Sequence, residues 1–247
     1  MNALEVRDLR KSFGGVAAVA GVSFSLAAGE MLALIGPNGA GKSTCFNMVG
    51  GQLRPDGGTV RLGGQDITGI APRMACRLGV GRTFQVTASF ASMTVRENVQ
   101  MALLAHHRHV WRFWRAADSH AVAEADALLA RVGMEDQAAR QAGVLAYGDL
   151  KRLELAVALA AAPRLLLMDE PTAGMAPAER AALMALARDI ATHQGVAVLF
   201  TEHDMDVVFA TADRILVLDR GRLIAEGPPA AVRADARVRA VYLGEQA

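Results

Sequence analysis

The apolar run Met31-Leu32-Ala33-Leu34-Ile35 passes directly into Gly36-Pro37-Asn38-Gly39-Ala40-Gly41-Lys42-Ser43-Thr44, and no other stretch narrows the possible folds as much. Five consecutive apolar residues read as a strand covered on both faces, as at the centre of a parallel sheet. The Gly36 to Thr44 segment satisfies G-x-x-x-x-G-K-S/T in the context that gives this pattern meaning, with a strand before it and a helix from about Gly41 onward. Glycines let backbone N–H groups curl around phosphate oxygens. The helix N-terminus adds partial positive charge there, and Lys42 reaches the terminal phosphates. Ser43 supplies a hydroxyl for Mg²⁺. The plain alternative is a Gly-rich turn with a solvated lysine; the strand-loop-helix context selects phosphate binding instead.

Two more continuous apolar runs, Leu165 to Met168 and Val196 to Phe200, have the same parallel-strand character. Ligands of open α/β sheets gather at the carboxyl ends of the strands. Gly36, Asp169 and His203 each come after such a run, so motifs far apart in sequence converge on one edge. Asp169 is placed to orient Mg²⁺ and its waters, and Glu170 to polarise a water for in-line attack on a γ-phosphate. An acidic turn after a strand is common by itself, and beside the Lys42 loop the catalytic reading prevails. His203 alone reads as a structural histidine; its strand-end position makes it a γ-phosphate contact. Leu145-Ala146-Tyr147-Gly148-Asp149 precedes an apolar helix beginning near Lys151, which makes a second glycine-bearing helix N-terminus.

Near the N-terminus the pattern alternates, as in Val22-Ser23-Phe24-Ser25-Leu26, which predicts half-buried antiparallel strands. Ala-rich, Leu-spaced segments between Val95 and Ala162 predict helices over Ala121 to Val132 and Lys151 to Ala161, with Pro163 ending the second at about Ala162. The expected fold is an α/β core with a mostly parallel sheet, an N-terminal antiparallel β subdomain and an inserted α-helical subdomain. Its expected boundaries are 1–85 and 163–247 for the β subdomain plus catalytic core, and 86–162 for the helical part.

Taken in order, these segments resemble the ATP-binding cassette (ABC) ATPases across essentially the whole chain. The resemblance implies a P-loop NTPase core of the RecA-like kind. It implies Phe13 as the adenine-stacking aromatic, Gln85 as the Q-loop glutamine and a further Mg²⁺ ligand, Glu170 as the catalytic glutamate, and His203 as the switch histidine. Ala146, Tyr147, Gly148 and Asp149 then form the signature segment, normally LSGGQ, that contacts the ATP held by the opposite subunit. Within that family, Arg82-Thr83-Phe84-Gln85, the Leu145 segment and Thr172-Ala173-Gly174-Met175-Ala176-Pro177 are similar to the ATPase subunits of branched-chain amino-acid importers. The ending Val241-Tyr242-Leu243-Gly244-Glu245 is similar too, although lipopolysaccharide-export ATPases share such an ending. The implied cofactors are ATP and Mg²⁺. The implied partners are a second ATP-binding subunit, two transmembrane permease subunits and, indirectly, a periplasmic solute-binding protein, with this chain peripheral on the cytoplasmic face of a bacterial inner membrane. Relatives in transport of aromatic acids, amides or urea, and non-transport ABC ATPases, are the competing readings. Three positions depart from the family pattern. Ala146 lacks the hydroxyl of the usual Ser, Leu150 replaces a Gln, and Ala176 stands where relatives carry Asn or Asp.

Composition supports this and excludes alternatives. In 247 residues, 26 Lys plus Arg balance 25 Asp plus Glu, so bulk electrostatics does not hold the chain to nucleic acid. Cys45 and Cys76 stand in no metal-ligand or CxxC spacing, which fits a reducing compartment. The alternating N-terminus does not read as a signal peptide, and no apolar stretch approaches the ~20 residues that cross a bilayer. His106-His107-Arg108-His109-Val110-Trp111-Arg112-Phe113-Trp114-Arg115 falls outside every motif. Its readings are a solvated helix end with partly buried aromatics, a membrane or permease contact, nucleic-acid stacking, or a metal site, in descending order.

Overall fold

The computed structural model describes residues 2–83, 90–106 and 117–243, with the backbone alone for 117–120 and 243. The alternating N-terminus forms β1 (Asn2–Phe13) and β2 (Val16–Ala27), joined at Gly14 and Gly15. After β3 (Met31–Ile35) and α1 (Lys42–Val49) come β4 (Gly57–Leu62), β5 (Gln65–Asp66), α2 (Pro72–Arg77) and β6 (Val80–Thr83). Helices α3 (Val95–His106), α4 (Ala117–Arg131) and α5 (Tyr147–Leu159) precede β7 (Leu165–Asp169). The chain continues through α6 (Pro177–Gln194), β8 (Ala197–Thr201), α7 (Met205–Thr211), β9 (Arg214–Asp219), β10 (Arg222–Gly227), α8 (Pro229–Ala234) and α9 (Ala236–Leu243).

Two sheets result. One has four antiparallel strands in the order β2-β1-β4-β5. The other has six in the order β10-β9-β3-β8-β7-β6, parallel throughout except for the antiparallel edge pair β9 and β10. Successive strand side chains point to opposite faces, and the six-stranded sheet uses both. Met31, Ala33, Ile35, Leu166, Met168, Val198 and Phe200 pack on α3 to α7. Leu32, Leu34, Leu165, Leu167 and Leu199 pack on α1 and the antiparallel sheet. This is why those strands carry continuous apolar runs while β2 alternates.

The third run lies one residue later than its apolar pattern suggests, because Thr201 pairs with Asp169 and Val196 stays outside the ladder. The signature helix begins at Tyr147, four residues ahead of the expected Lys151, and takes Gly148 into its first turn. After β10 the chain forms two helices, the first opened by Pro229 at a position suited to proline. No helix among the described residues is long and apolar enough to cross a membrane.

Candidate nucleotide site

Gly36 to Thr44 loops from the end of β3 onto the N-terminus of α1 and is held from two sides. Gly221, in the β9–β10 turn, donates its N–H to Ala40 O at 2.9 Å and accepts from Ala20 N at 2.8 Å. Gly41, at φ 100°, passes so close to Ala18 that a Cβ would lie 2.2 Å from the Ala18 carbonyl oxygen. Only glycine fits there. Lys42 is buried and donates to Gly36 O at 2.6 Å and Pro37 O at 3.0 Å. Burial draws its pKa below the ordinary lysine value, and the charges of Glu170 and Asp169 oppose that shift. Tyr242 on α9 reaches the same loop; burial pushes its phenol upward, and the Gly36 backbone opposes that shift.

Asn38, Gly39, Ala40, Gly41, Lys42, Ser43, Thr44, Glu170 and His203 line one cavity of about 200 Å³, together with Ala18 of β2. Glu170 and His203, from the ends of β7 and β8, lie 2.8 Å apart between Oε1 and Nε2. Asp169 accepts from Thr201 Oγ1 at 2.7 Å and lies 3.4 Å from the Arg82 guanidinium. Arg82 in turn donates to Asn47 Oδ1 at 2.8 Å and stacks over Phe46. Burial lowers the Arg82 pKa, and Asp169 counters it. Around the cavity, Ser43 and Asp169 offer hydroxyl and carboxylate oxygens, the hard donors that suit Mg²⁺. Among the described residues no cluster of three or more His, Cys, Asp or Glu could hold a metal by itself.

The other expected site residues lie apart. Phe13 is exposed at the tip of the β1–β2 hairpin, with the Lys11 ammonium 5.7 Å from its ring centre. Ala146 caps α5 and Tyr147, Gly148 and Asp149 form its first turn, where Asp149 accepts from Gln137 Nε2 at 2.9 Å and Gly148 lies against α6. A Cβ on Gly148 would lie 2.9 Å from Glu179 Oε1, and one on Gly174 would lie 3.5 Å from the Tyr147 ring. Val144 and Tyr147 are exposed beside this segment. Gln85, and His107 to Arg115 of the unexplained stretch, lie outside the described residues.

Sequence reasoning missed Arg82, Thr201 and Glu202. Glu202 stands next to His203, and Arg82 is a charged residue in the short segment Val80 to Thr83, where a partly buried guanidinium needs a partner. Those two facts were the available signals.

A family model described as ABC transporter matches residues 19–173, and one described as branched-chain amino acid ATP-binding cassette transporter matches residues 222–247. The chain is 40% identical to the high-affinity branched-chain amino acid transport ATP-binding protein LivG of Escherichia coli K12, over 98% of each chain. It is 39% identical to BraF of Pseudomonas aeruginosa, over the same share. A crystal structure of the ADP conformation of an ATP-binding cassette of an ABC transporter matches at TM-score 0.89 and 32% identity, covering 99% of this chain and 100% of the other. A nucleotide-free cassette matches at TM-score 0.88 and 31% identity, with the same coverage. With a family match over more than half its length, relatives of this identity along nearly all of it, and the phosphate loop, carboxylates and histidine gathered at one sheet edge, the chain belongs to the ABC transporter family as an ATP-binding subunit.

Proposed function

We propose that this chain is the ATPase subunit of an importer for branched-chain or other hydrophobic amino acids. On this reading it works with a second ATP-binding subunit and two permease subunits, peripheral on the cytoplasmic face of the inner membrane. The observation that carries the ATPase chemistry is the cavity shared by Lys42, Glu170 and His203. The likeness to LivG and BraF supports the solute class. The boundaries that go with this reading are 1–85 and 163–247 for the β subdomain plus core, and 86–162 for the helical subdomain.

Lys42, now bonded to two loop carbonyls, turns its ammonium to the β- and γ-phosphates when ATP enters the loop. Ser43, Asp169 and Gln85 would hold Mg²⁺, which neutralises phosphate charge when bound. Glu170 orients a water for in-line attack on the γ-phosphorus and accepts its proton as the bond to the ADP oxygen breaks. His203 holds the Glu170 carboxylate through the 2.8 Å contact and meets the γ-phosphate. Phe13 stacks on the adenine. Ala146 to Asp149 serve the site of the opposite subunit, which would also cover the exposed Val144 and Tyr147. ATP closing the pair and hydrolysis reopening it then shift a two-state equilibrium in the permease. The permease contact in this reading falls on the stretch from Gln85 to about Asn98, which joins the core to the helical subdomain.

The test is Glu170→Gln. The variant should bind MgATP, turn it over about 10²- to 10⁴-fold more slowly, and accumulate as an ATP-dependent dimer on gel filtration. Wild-type turnover overturns the assignment. The solute is tested by isolating the complex from membranes with this chain as bait and measuring leucine, isoleucine and valine binding by the copurifying binding protein.

A further inference from the structure

Glu202 follows β8 and is only 5% exposed, yet it keeps a carboxylate where an apolar side chain would be easier to bury. Its Oε1 accepts from both the backbone N–H and the hydroxyl of Thr172, at 2.8 and 2.7 Å, and Thr172 is itself buried. Its Oε2 accepts from His203 N at 3.3 Å. One carboxylate therefore ties the loop that carries His203 to the loop that carries Glu170.

A second tie flanks His203 on its other side. Asp204 pairs with the Arg180 guanidinium, whose Nε donates to Met175 O at 2.7 Å. The loop from Glu170 to Ala176 is thus held from the β8 end at Thr172 and at Met175. Glu170 needs such support: its φ is 48°, in the left-handed region that a non-glycine residue occupies only when its surroundings impose it. Its own N–H is fixed by Thr201 O and Oγ1, both at 3.1 Å, and the Glu202–Thr172 bonds fix the chain two residues further on.

We propose that Glu202 is a positioning residue for hydrolysis, a buried bracket that holds Glu170 and His203 at the separation needed to set the attacking water. This rests on the roles given above to those two residues. Loss of the bracket lets the two loops move independently, which misplaces the water without touching the phosphate loop that binds ATP.

The test uses the purified transporter complex and compares kcat with the ATP KM. Thr172→Val keeps size and removes the hydroxyl donor. Glu202→Gln keeps one acceptor oxygen for Thr172 and sets an amide donor against the His203 N–H. Each should lower kcat about 10- to 100-fold while the ATP KM stays within about twofold of wild type. Thr172→Ser should restore turnover, and the double variant should be no slower than the worse single one. A bracket that serves stability alone gives a lowered melting temperature with kcat per folded molecule unchanged, and that result overturns the proposal. So do losses that multiply in the double variant. If Glu202→Gln does not fold, Thr172→Val and its serine rescue decide. Glu170→Gln and His203→Ala are run in parallel. If they lose turnover while the bracket variants keep it, the bracket alone falls; if they too keep wild-type rates, the site assignment falls first and the bracket with it.

Discussion

Replacing Gly41 by Ala tests whether the phosphate loop is held by close packing as well as by glycine's backbone freedom. At φ 100° an L-residue is strained, which costs about 1–3 kcal/mol. The new Cβ would lie 2.2 Å from Ala18 O, and this approach has to open to at least 3.0 Å, a displacement of about 0.8 Å. Neither side yields easily. Gly41 opens α1, and Ala18 sits in β2 beside Gly221, which holds the same loop through Ala40. Overpacking of this kind adds about 1–3 kcal/mol. The total of about 2–6 kcal/mol lowers Tm by about 4–24 °C for a chain of this size. Gly39→Ala is the control: its φ of 80° is equally left-handed, but nothing lies within 4 Å of the added methyl, so only the backbone cost remains. Thermal unfolding of both variants, with ADP affinity from titration calorimetry, separates the two contributions. A shift near 0.8 Å in the loop should also weaken nucleotide binding in Gly41→Ala by about tenfold or more. Equal melting temperatures for the two variants, together with wild-type ADP affinity in Gly41→Ala, would refute the packing argument.

Lys42→Ala should remove measurable ATP turnover, at least about 100-fold, because charge-assisted contacts to the phosphates are lost. It should cost only about 1–3 kcal/mol of stability, since the two loop carbonyls it leaves regain water; a folded variant with wild-type turnover contradicts the assignment. Ala176 is the N-cap of α6 and lacks a side-chain acceptor, while Glu179 already accepts from its N–H at 3.1 Å. Ala176→Asn completes the capping pair and should stabilise the isolated chain by about 0.5–2 kcal/mol, read as a rise of about 1–8 °C in Tm; an unchanged or lower Tm argues against it. Burial pushes the Cys45 thiol up to about 12, so almost no thiolate forms at pH 8; partial burial raises the Cys76 thiol as well, but its side chain is exposed and Arg77 opposes the shift. A thiol-disulfide reagent at pH 8 should modify Cys76 promptly in the native chain and Cys45 only after denaturation, and rapid native modification of Cys45 would show that its burial is wrong.

Local pattern alone determined a good deal of this protein. The strand at Met31 to Ile35, the loop to Thr44 and the helix after it were legible because their spacing obeys short-range backbone rules. The apolar runs ending near Asp169 and before His203 announced parallel strands, since a strand covered on both faces has no polar side to show. From this the convergence of Gly36, Asp169 and His203 on one edge could be inferred. Tertiary structure decided what no window of sequence contains. The strand order β9-β3-β8-β7-β6 sets β7 between β6 and β8, so Asp169 meets Arg82 on one side and Thr201 on the other. The same neighbours bring Glu202 onto Thr172 across thirty positions of chain. Gly221 and Tyr242 reach the phosphate loop only because β10 and the helices after it fold back against β9. Hydrogen-bond partners of a buried charge are selected by which backbones lie side by side, and that selection is made by the packing of distant segments.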